Sequence, residues 1–336
     1  KSLKKYITYW LAAMFWIISL MIVVGGLTRL TDSGLSITEW QLFSGILPPL
    51  NETQWNIYFD LYKKIPEYKL QNYSMTLQEF KVIFWWEFIH RFLGRLIGIF
   101  FLLPMVFFSV KLGFKKTFNL HFIFLLICFQ GFIGWYMVSS GLVDRIDVSH
   151  YRLSVHLFVA FVILSLILWN YLSYKESNKS KKKINKLIPY TFLLLVFTQI
   201  IIGAFVSGMD AGKIYNTWPL MGSSYFPDDS VINDLFNITV FDDQSLVQFI
   251  HRNLAYLIVI IYFYMLYFVL KNGNINLRIP IFIIGISLLF QIVLGVLTIL
   301  SGVKMIYASL HQINSILIIL STLYFLYIVK YKGSNY

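Results

Sequence analysis

Near-continuous apolar runs occupy residues 7–28, 82–110, 118–139, 153–173, 187–208, 246–270, 279–300 and 305–329. About 20 apolar residues in a helix cross the hydrocarbon core of a bilayer, and each of the eight runs meets that length. The first run also exceeds the apolar stretch of a secretory signal peptide and is expected to stay in place as a span. The pattern therefore predicts an all-α membrane protein with eight transmembrane helices, and the even number puts both termini on one side. Composition agrees. Of 336 residues, 58% are hydrophobic and 13% charged, against about 25% charged in a soluble domain, which excludes an ordinary soluble enzyme.

The net charge of +12 first suggests a nucleic-acid partner, but the positions of the charges explain it better. Lys4, Lys5, Lys111, Lys115, Lys116, Lys175, the run from Lys179 to Lys186, Lys271, Arg278 and Lys330 all fall on the side of the termini, where Glu176 is the only acid. The positive-inside rule makes that side the cytoplasm or its mitochondrial equivalent. Asp228, Asp229, Asp234, Asp242 and Asp243 lie in an opposite loop. The basic run is thus read as a topology signal, with no nucleic acid involved. A single cysteine, Cys128, excludes an intrachain disulfide, a Cys-ligated zinc site and a Cys-held iron–sulfur cluster.

The chain also repeats itself. Gly25, Asp32 and Gly34 recur 178 residues later as Gly203, Asp210 and Gly212. Phe88-Ile89-His90-Arg91 recurs 161 residues later as Phe249-Ile250-His251-Arg252, and Gln130, Gly134, Ser140 and Gly141 recur at the same offset as Gln291, Gly295, Ser301 and Gly302. His156 and His311 are 155 apart. These offsets predict two pseudo-symmetric four-helix bundles in parallel topology, 1–175 and 176–336, joined by the basic segment near 174–186. The difference between 178 and 161 makes the first outer loop, about 30–81, 17 residues longer than its partner.

Four of the six histidines, His90, His156, His251 and His311, fall on the even-numbered spans, and the apolar runs put each within two to three turns of the outer end. Two histidines from two helices of one bundle can clamp a heme iron axially from both sides. The residue four positions on is Gly94, Ala160, Ala255 or Ser315, small in every case and one turn deeper on the same face, as a flat macrocycle requires. A mononuclear metal would want further ligands, and no matched third ligand accompanies either pair. Arg91, Arg95, Arg152 and Arg252 stand near these histidines as cationic partners for heme propionates, or as side chains that snorkel to the interface. His121 and His150 have no counterparts in the repeat and read as structural or surface residues.

One position breaks the symmetry: Glu87 lies three residues before His90, whereas its equivalent before His251 is Gln248. An intramembrane carboxylate is costly without a task or a partner. Glu87 either forms an i,i+4 ion pair with Arg91, or serves a first pocket that acts on its contents while the second relays electrons.

The strings Gly25-Gly26-Leu27-Thr28-Arg29-Leu30-Thr31-Asp32-Ser33-Gly34-Leu35-Ser36, Glu87-Phe88-Ile89-His90-Arg91 with Gly94-Arg95, Tyr151-Arg152-Leu153 leading to His156, and Gly208-Met209-Asp210-Ala211-Gly212 with Tyr215-Asn216-Thr217-Trp218-Pro219 resemble heme A synthase. The resemblance covers nearly the whole chain. It implies two four-helix bundles that oxidise the C8 methyl of heme O to the formyl group of heme A for cytochrome oxidase. By position it implies that His90 and His156 hold the substrate heme, that His251 and His311 hold a heme b, and that Glu87 is the catalytic acid. Methyl to aldehyde removes four electrons, through an alcohol and a gem-diol, with Glu87 accepting protons or positioning water. The resemblance further implies a multi-pass protein of the bacterial inner membrane (the mitochondrial inner membrane if eukaryotic), both termini cytoplasmic. Heme O synthase and cytochrome oxidase assembly factors are the candidate partners, the electron-transfer partner is unnamed, and a homo-oligomer is admitted. Some bacterial members carry cysteine pairs in outer loops. This chain has none, and so resembles the cysteine-free branch shared by alphaproteobacteria and mitochondria. Two further readings stand beside it: a non-catalytic diheme cytochrome b, and a heme or small-molecule transporter.

Overall fold

A computed structural model describes residues 2–39, 44–175, 187–271 and 275–331. The helices are α1 (Ser2–Leu30), α2 (Glu52–Tyr62), α3 (Pro66–Leu70), α4 (Leu77–Leu112), α5 (Phe114–Asp144), α6 (His150–Lys175), α7 (Leu187–Gly208), α8 (Gln244–Lys271), α9 (Ile275–Leu300) and α10 (Met305–Tyr331). Among the described residues eight of these, all but α2 and α3, are long and apolar enough to cross a membrane, as the hydrophobic pattern predicts. The basic run from Lys179 to Lys186, Glu176 and the join between the expected bundles lie outside the described residues.

Helix ends follow local chemistry. α4 starts five residues before its apolar run because Thr76 and Glu79 form a capping box: the Glu79 N–H donates to Thr76 Oγ1 at 3.3 Å and the Thr76 N–H to Glu79 Oε2 at 2.7 Å. It stops at Gly113, whose φ of +86° suits a residue without a Cβ, and α5 begins at once. The early start of α4 changes one expectation. His156, His251 and His311 do lie within two to three turns of their helix starts, but His90 lies nearly four turns in, because the capped turn extends α4 beyond the apolar run.

The chain divides into two compact units, Ala13–Ile163 and Lys1–Ala12 with Leu164–Tyr336. In the first, α2 and α3 fold the extra length of the outer loop into an aromatic core. Trp55, Phe59 and Tyr62 pack on Phe80, Phe84 and Phe88 of α4, with Leu35, Ile37 and Val148 closing it. Phe80 lies 5.1 Å from Phe59 and 5.2 Å from Tyr62, ring centre to ring centre. In the other unit the inner half rests on Tyr327, which donates to the Leu172 carbonyl at 3.2 Å and meets Trp169 edge-on. Asn314, buried on α10, ties α9 by donating to the Ser287 carbonyl and to Gln291 Oε1.

The 178-residue repeat survives in the backbone. Asp32 and Asp210, after the outer ends of α1 and α7, both adopt left-handed conformations, with φ of 48° and 54°. Each carboxylate holds a nearby cation, Arg29 at 2.7 Å or Lys213 at 3.1 Å. Only glycine adopts that backbone freely, with Asp and Asn next and β-branched residues worst. Asp210→Val should therefore cost about 1–3 kcal/mol, more than Asp210→Gly, which keeps the backbone conformation unstrained and whose exposed ion pair with Lys213 contributes little. Thermal unfolding in detergent checks the ranking, and equal midpoints for the two variants would contradict it.

Candidate functional site

The four histidines of the repeat pair within each unit. His90 of α4 and His156 of α6 hold their rings 6.4 Å apart, centre to centre, and His251 of α8 and His311 of α10 are likewise 6.4 Å apart. An imidazole nitrogen lies about 1.1 Å from its ring centre and bonds a transition metal at about 2.0–2.1 Å, so two rings gripping one metal from opposite sides sit about 6.3 Å apart. Both pairs thus have the spacing for axial ligation of a heme iron. Nδ1 of His90, His156 and His251 is buried without a hydrogen-bond partner, a costly condition unless a ligand completes the surroundings. Among the described residues there is no group of three or more His, Cys, Asp or Glu side chains that could hold a metal ion.

Each ring is seated by a glycine of another helix. A Cβ built on Gly25 would lie 2.9 Å from Cε1 of His90, one on Gly134 3.1 Å from His156, one on Gly203 3.1 Å from His251 and one on Gly295 3.0 Å from His311. These are the glycines repeated at offsets of 178 and 161, and the repetition is explained: a side chain there would displace the ring. The sequence marked them as repeat positions without revealing this job.

Glutamines add a second set of supports. Gln130 Nε2 donates to the His156 carbonyl at 2.9 Å, and Gln199 Nε2 to the His251 carbonyl at 3.0 Å while lying 3.3 Å from His251 Nε2. Gln291 Nε2 lies 3.2 Å from His311 Nε2, and the Gln291 carbonyl 3.1 Å from His311 Nδ1. Sequence reasoning missed Gln199, and the 178 offset explains why: its counterpart is Met21, which packs instead on Gly94.

Glu87 is 2% exposed and fully engaged. Oε2 accepts from Ser36 Oγ and from the Ile37 N–H, both at 2.7 Å. Oε1 accepts from Arg91 Nε at 3.0 Å and Nη2 at 2.5 Å. The expected i,i+4 ion pair is therefore present, with two more donors on the same carboxylate. Arg91 also donates to the carbonyls of Ile37 and Glu39, tying the turn after α1 to α4. At the equivalent place in the other unit, Gln248 Nε2 donates to the Tyr215 carbonyl, and Arg252 donates to the carbonyls of Tyr215 and Leu220. The two outer turns are held alike, and only the first is held through a carboxylate.

Arg91 and Arg95 line a shallow, narrow cleft with Ile37, Leu47, Tyr58, Phe84 and Phe88. Arg152 bonds Ser140 Oγ and lies over the Tyr136 ring at 4.7 Å. The two unrepeated histidines are built into the fold. His121 is held between the Thr117 carbonyl and Ser109 Oγ, and His150 is buried as the first residue of α6, against Tyr151.

The cytochrome oxidase assembly protein family COX15-CtaA matches residues 8–323. The chain is 51% identical over 335 residues to the heme A synthase of Pelagibacter ubique, covering 98% of this chain and 97% of that protein. It is 42% identical to the heme A synthase of Maricaulis maris, covering 95% and 94%, and 41% identical to that of Rickettsia bellii, covering 94% and 96%.

If the glycines seat the rings, Gly203→Ala and Gly295→Ala should each lower retention of added heme about tenfold or more, as disturbed support of a ligand does. Gly98→Ala, on α4 with nothing near its Cβ, should leave retention unchanged. Heme absorbance after gel filtration measures this, and equal retention in all three would refute the seating role.

Proposed function

The chain belongs to the cytochrome oxidase assembly protein family, and on that premise we propose that it is a membrane oxidoreductase converting heme O to heme A by oxidising the C8 methyl to a formyl group. The observation that carries this reading is the pair of matched histidine clamps of which only one has a carboxylate beside it. We assign His90 and His156 to the substrate heme, and His251 and His311 to a heme b. The two halves, 1–175 and 176–336, are then a reacting bundle and an electron-relaying bundle. When bound, heme b supplies one-electron redox chemistry.

The protein's own residues supply position and proton handling. Glu87, one helical turn before His90, would hold or accept a proton at Oε1 or Oε2 as the methyl loses four electrons. Ser36, Ile37 and Arg91 keep the carboxylate in place, so that no reorganisation is required when charge moves. The buried aromatic core beside it excludes water from the same region. Arg91, Arg95, Arg152 and Arg252 are the cations available to propionates. In the cell the protein would lie in the inner membrane with both termini in the cytoplasm, receiving its substrate from a heme O synthase and delivering its product to cytochrome oxidase assembly. The Glu87–Arg91 ion pair favours the second reading, a diheme electron carrier in which Glu87 is structural.

Glu87→Gln separates them, because it makes the first site resemble the second. A chemical carboxylate predicts a folded, heme-binding protein that forms at least about 100-fold less heme A and accumulates heme O or its hydroxylated intermediate, read by heme extraction and chromatography. Near-normal heme A from that variant would leave the electron-carrier reading. In parallel, His251→Ala or His311→Ala should remove the heme b spectrum, and unchanged spectra would refute the assignment.

A further inference from the structure

The outer segment between α1 and α4 contains a carboxyl group that the proposed chemistry does not use. Glu67 of α3 is 3% exposed. Tyr62 Oη donates to its Oε1 at 3.2 Å, and Asn72 Nδ2 reaches both Tyr62 Oη at 2.8 Å and Glu67 Oε1 at 3.4 Å. Oε2 is buried with no partner, and no cation pairs with the group among the described residues. Tyr62 and Phe80, both fully buried, belong to the adjoining aromatic core. A bare carboxylate in such surroundings is expensive, so the acid holds its proton.

Neighbouring charges act in the same direction. Burial first, with Glu87, Asp147 and Asp32 adding to it, pushes Glu67 up to about 8 against the pull of the Tyr62 hydrogen bond. Tyr62 is itself pushed above its ordinary range by burial, with Glu67 and Glu87 contributing. The groups facing Glu67 are thus Tyr62 from α2, Glu87 with its partner Arg91 from α4, Asp147 before α6, and Asp32, just beyond α1, with Arg29 of the last turn of α1. α5 meets this core with Met137, Val138 and Leu142.

We propose that Glu67 is a second carboxyl of the first unit's site, a positioning residue that keeps its proton and whose ionisation loosens the turn that holds Glu87. The link is the shared core: Ile37, whose N–H bonds Glu87, packs in the cluster that contains Tyr62 and Phe80. An ionised Glu67 requires water, and water enters only by opening that packing. A folded-state titration above the ordinary carboxylate range means that the folded protein holds an extra proton across that window. Stability therefore falls as pH rises from about 4.5 to about 8. The positioning role rests on the assignment of Glu87 to the chemistry.

Infrared spectra of the purified full chain across pH test the coupling directly, without turnover. The carboxylic C=O band of Glu67 should vanish on alkalinisation with a midpoint near 8 and should be missing from Glu67→Gln. Its midpoint should fall in Glu87→Gln, where a neighbouring negative charge is removed, and rise in Tyr62→Phe, where a hydrogen bond to the carboxylate is removed. Tyr62→Phe and Glu87→Gln both retain Glu67, so the test survives a misfolded Gln variant. No such band, or a midpoint indifferent to both substitutions, overturns the proposal. For turnover, the heme A formed at about pH 9 relative to about pH 7 should drop several-fold in the unmodified protein and stay flat in Glu67→Gln; equal drops overturn the positioning role. Normal heme A formation by Glu87→Gln would instead overturn the functional reading of Glu87 and the positioning role with it, while the infrared shifts judge the coupling alone.

Discussion

Everything in the two sites depends on how closely a histidine ring can approach the backbone of a neighbouring helix. A would-be Cβ on Gly25 would lie 2.9 Å from its ring, and those on Gly134, Gly203 and Gly295 only 3.0–3.1 Å from theirs, so any side chain there presses on the imidazole. Within each unit the two approaches bring a pair of imidazoles to the same 6.4 Å separation. Polar atoms inside a membrane bundle are costly unless something satisfies them, and Nδ1 of His90, His156 and His251 is buried without a hydrogen-bond partner. The glycines set the geometry and the histidines set the donors. Neither half of the arrangement has meaning alone.

Upon this common frame the units diverge by a few substitutions at fixed places. Where one unit uses Gln248 to bond the Tyr215 carbonyl, the other uses Glu87 to accept from Ser36, Ile37 and Arg91. Where one places Gln199 against His251, the other has Met21. The extra outer residues of the first unit form α2 and α3 and add an aromatic core beside the carboxylate. Breaking a buried pair such as Glu87–Arg91 is costly, and the added core packs beside it through Ile37 and Phe88.

Much of this was legible in the chain. The eight membrane helices followed from apolar runs whose length has one economical interpretation, and His90, His156, His251 and His311 stood out through offsets alone. The ion pair of Glu87 with Arg91 followed from i,i+4 spacing. Other features were hidden for physical reasons. The start of α4 is governed by Thr76 and Glu79, a local hydrogen-bond exchange invisible to hydropathy, and His90 lies deeper along its helix as a result. The glycines could be counted but not matched to rings, because that match depends on how neighbouring helices face one another. Glu67 carries no signal of its own in the sequence; only the folded segment reveals that Tyr62 and Asn72 enclose it.

The hold on Glu87 carries a consequence for how such a chain tolerates change. One of its donors is a hydroxyl, one a guanidinium, and one the main-chain N–H of Ile37. A main-chain donor belongs to no particular side chain: nineteen residue types can present it and proline alone cannot. The buried side chains of the turn are constrained by the core they pack in, yet the main-chain anchor of the carboxylate survives any substitution of Ile37 other than proline.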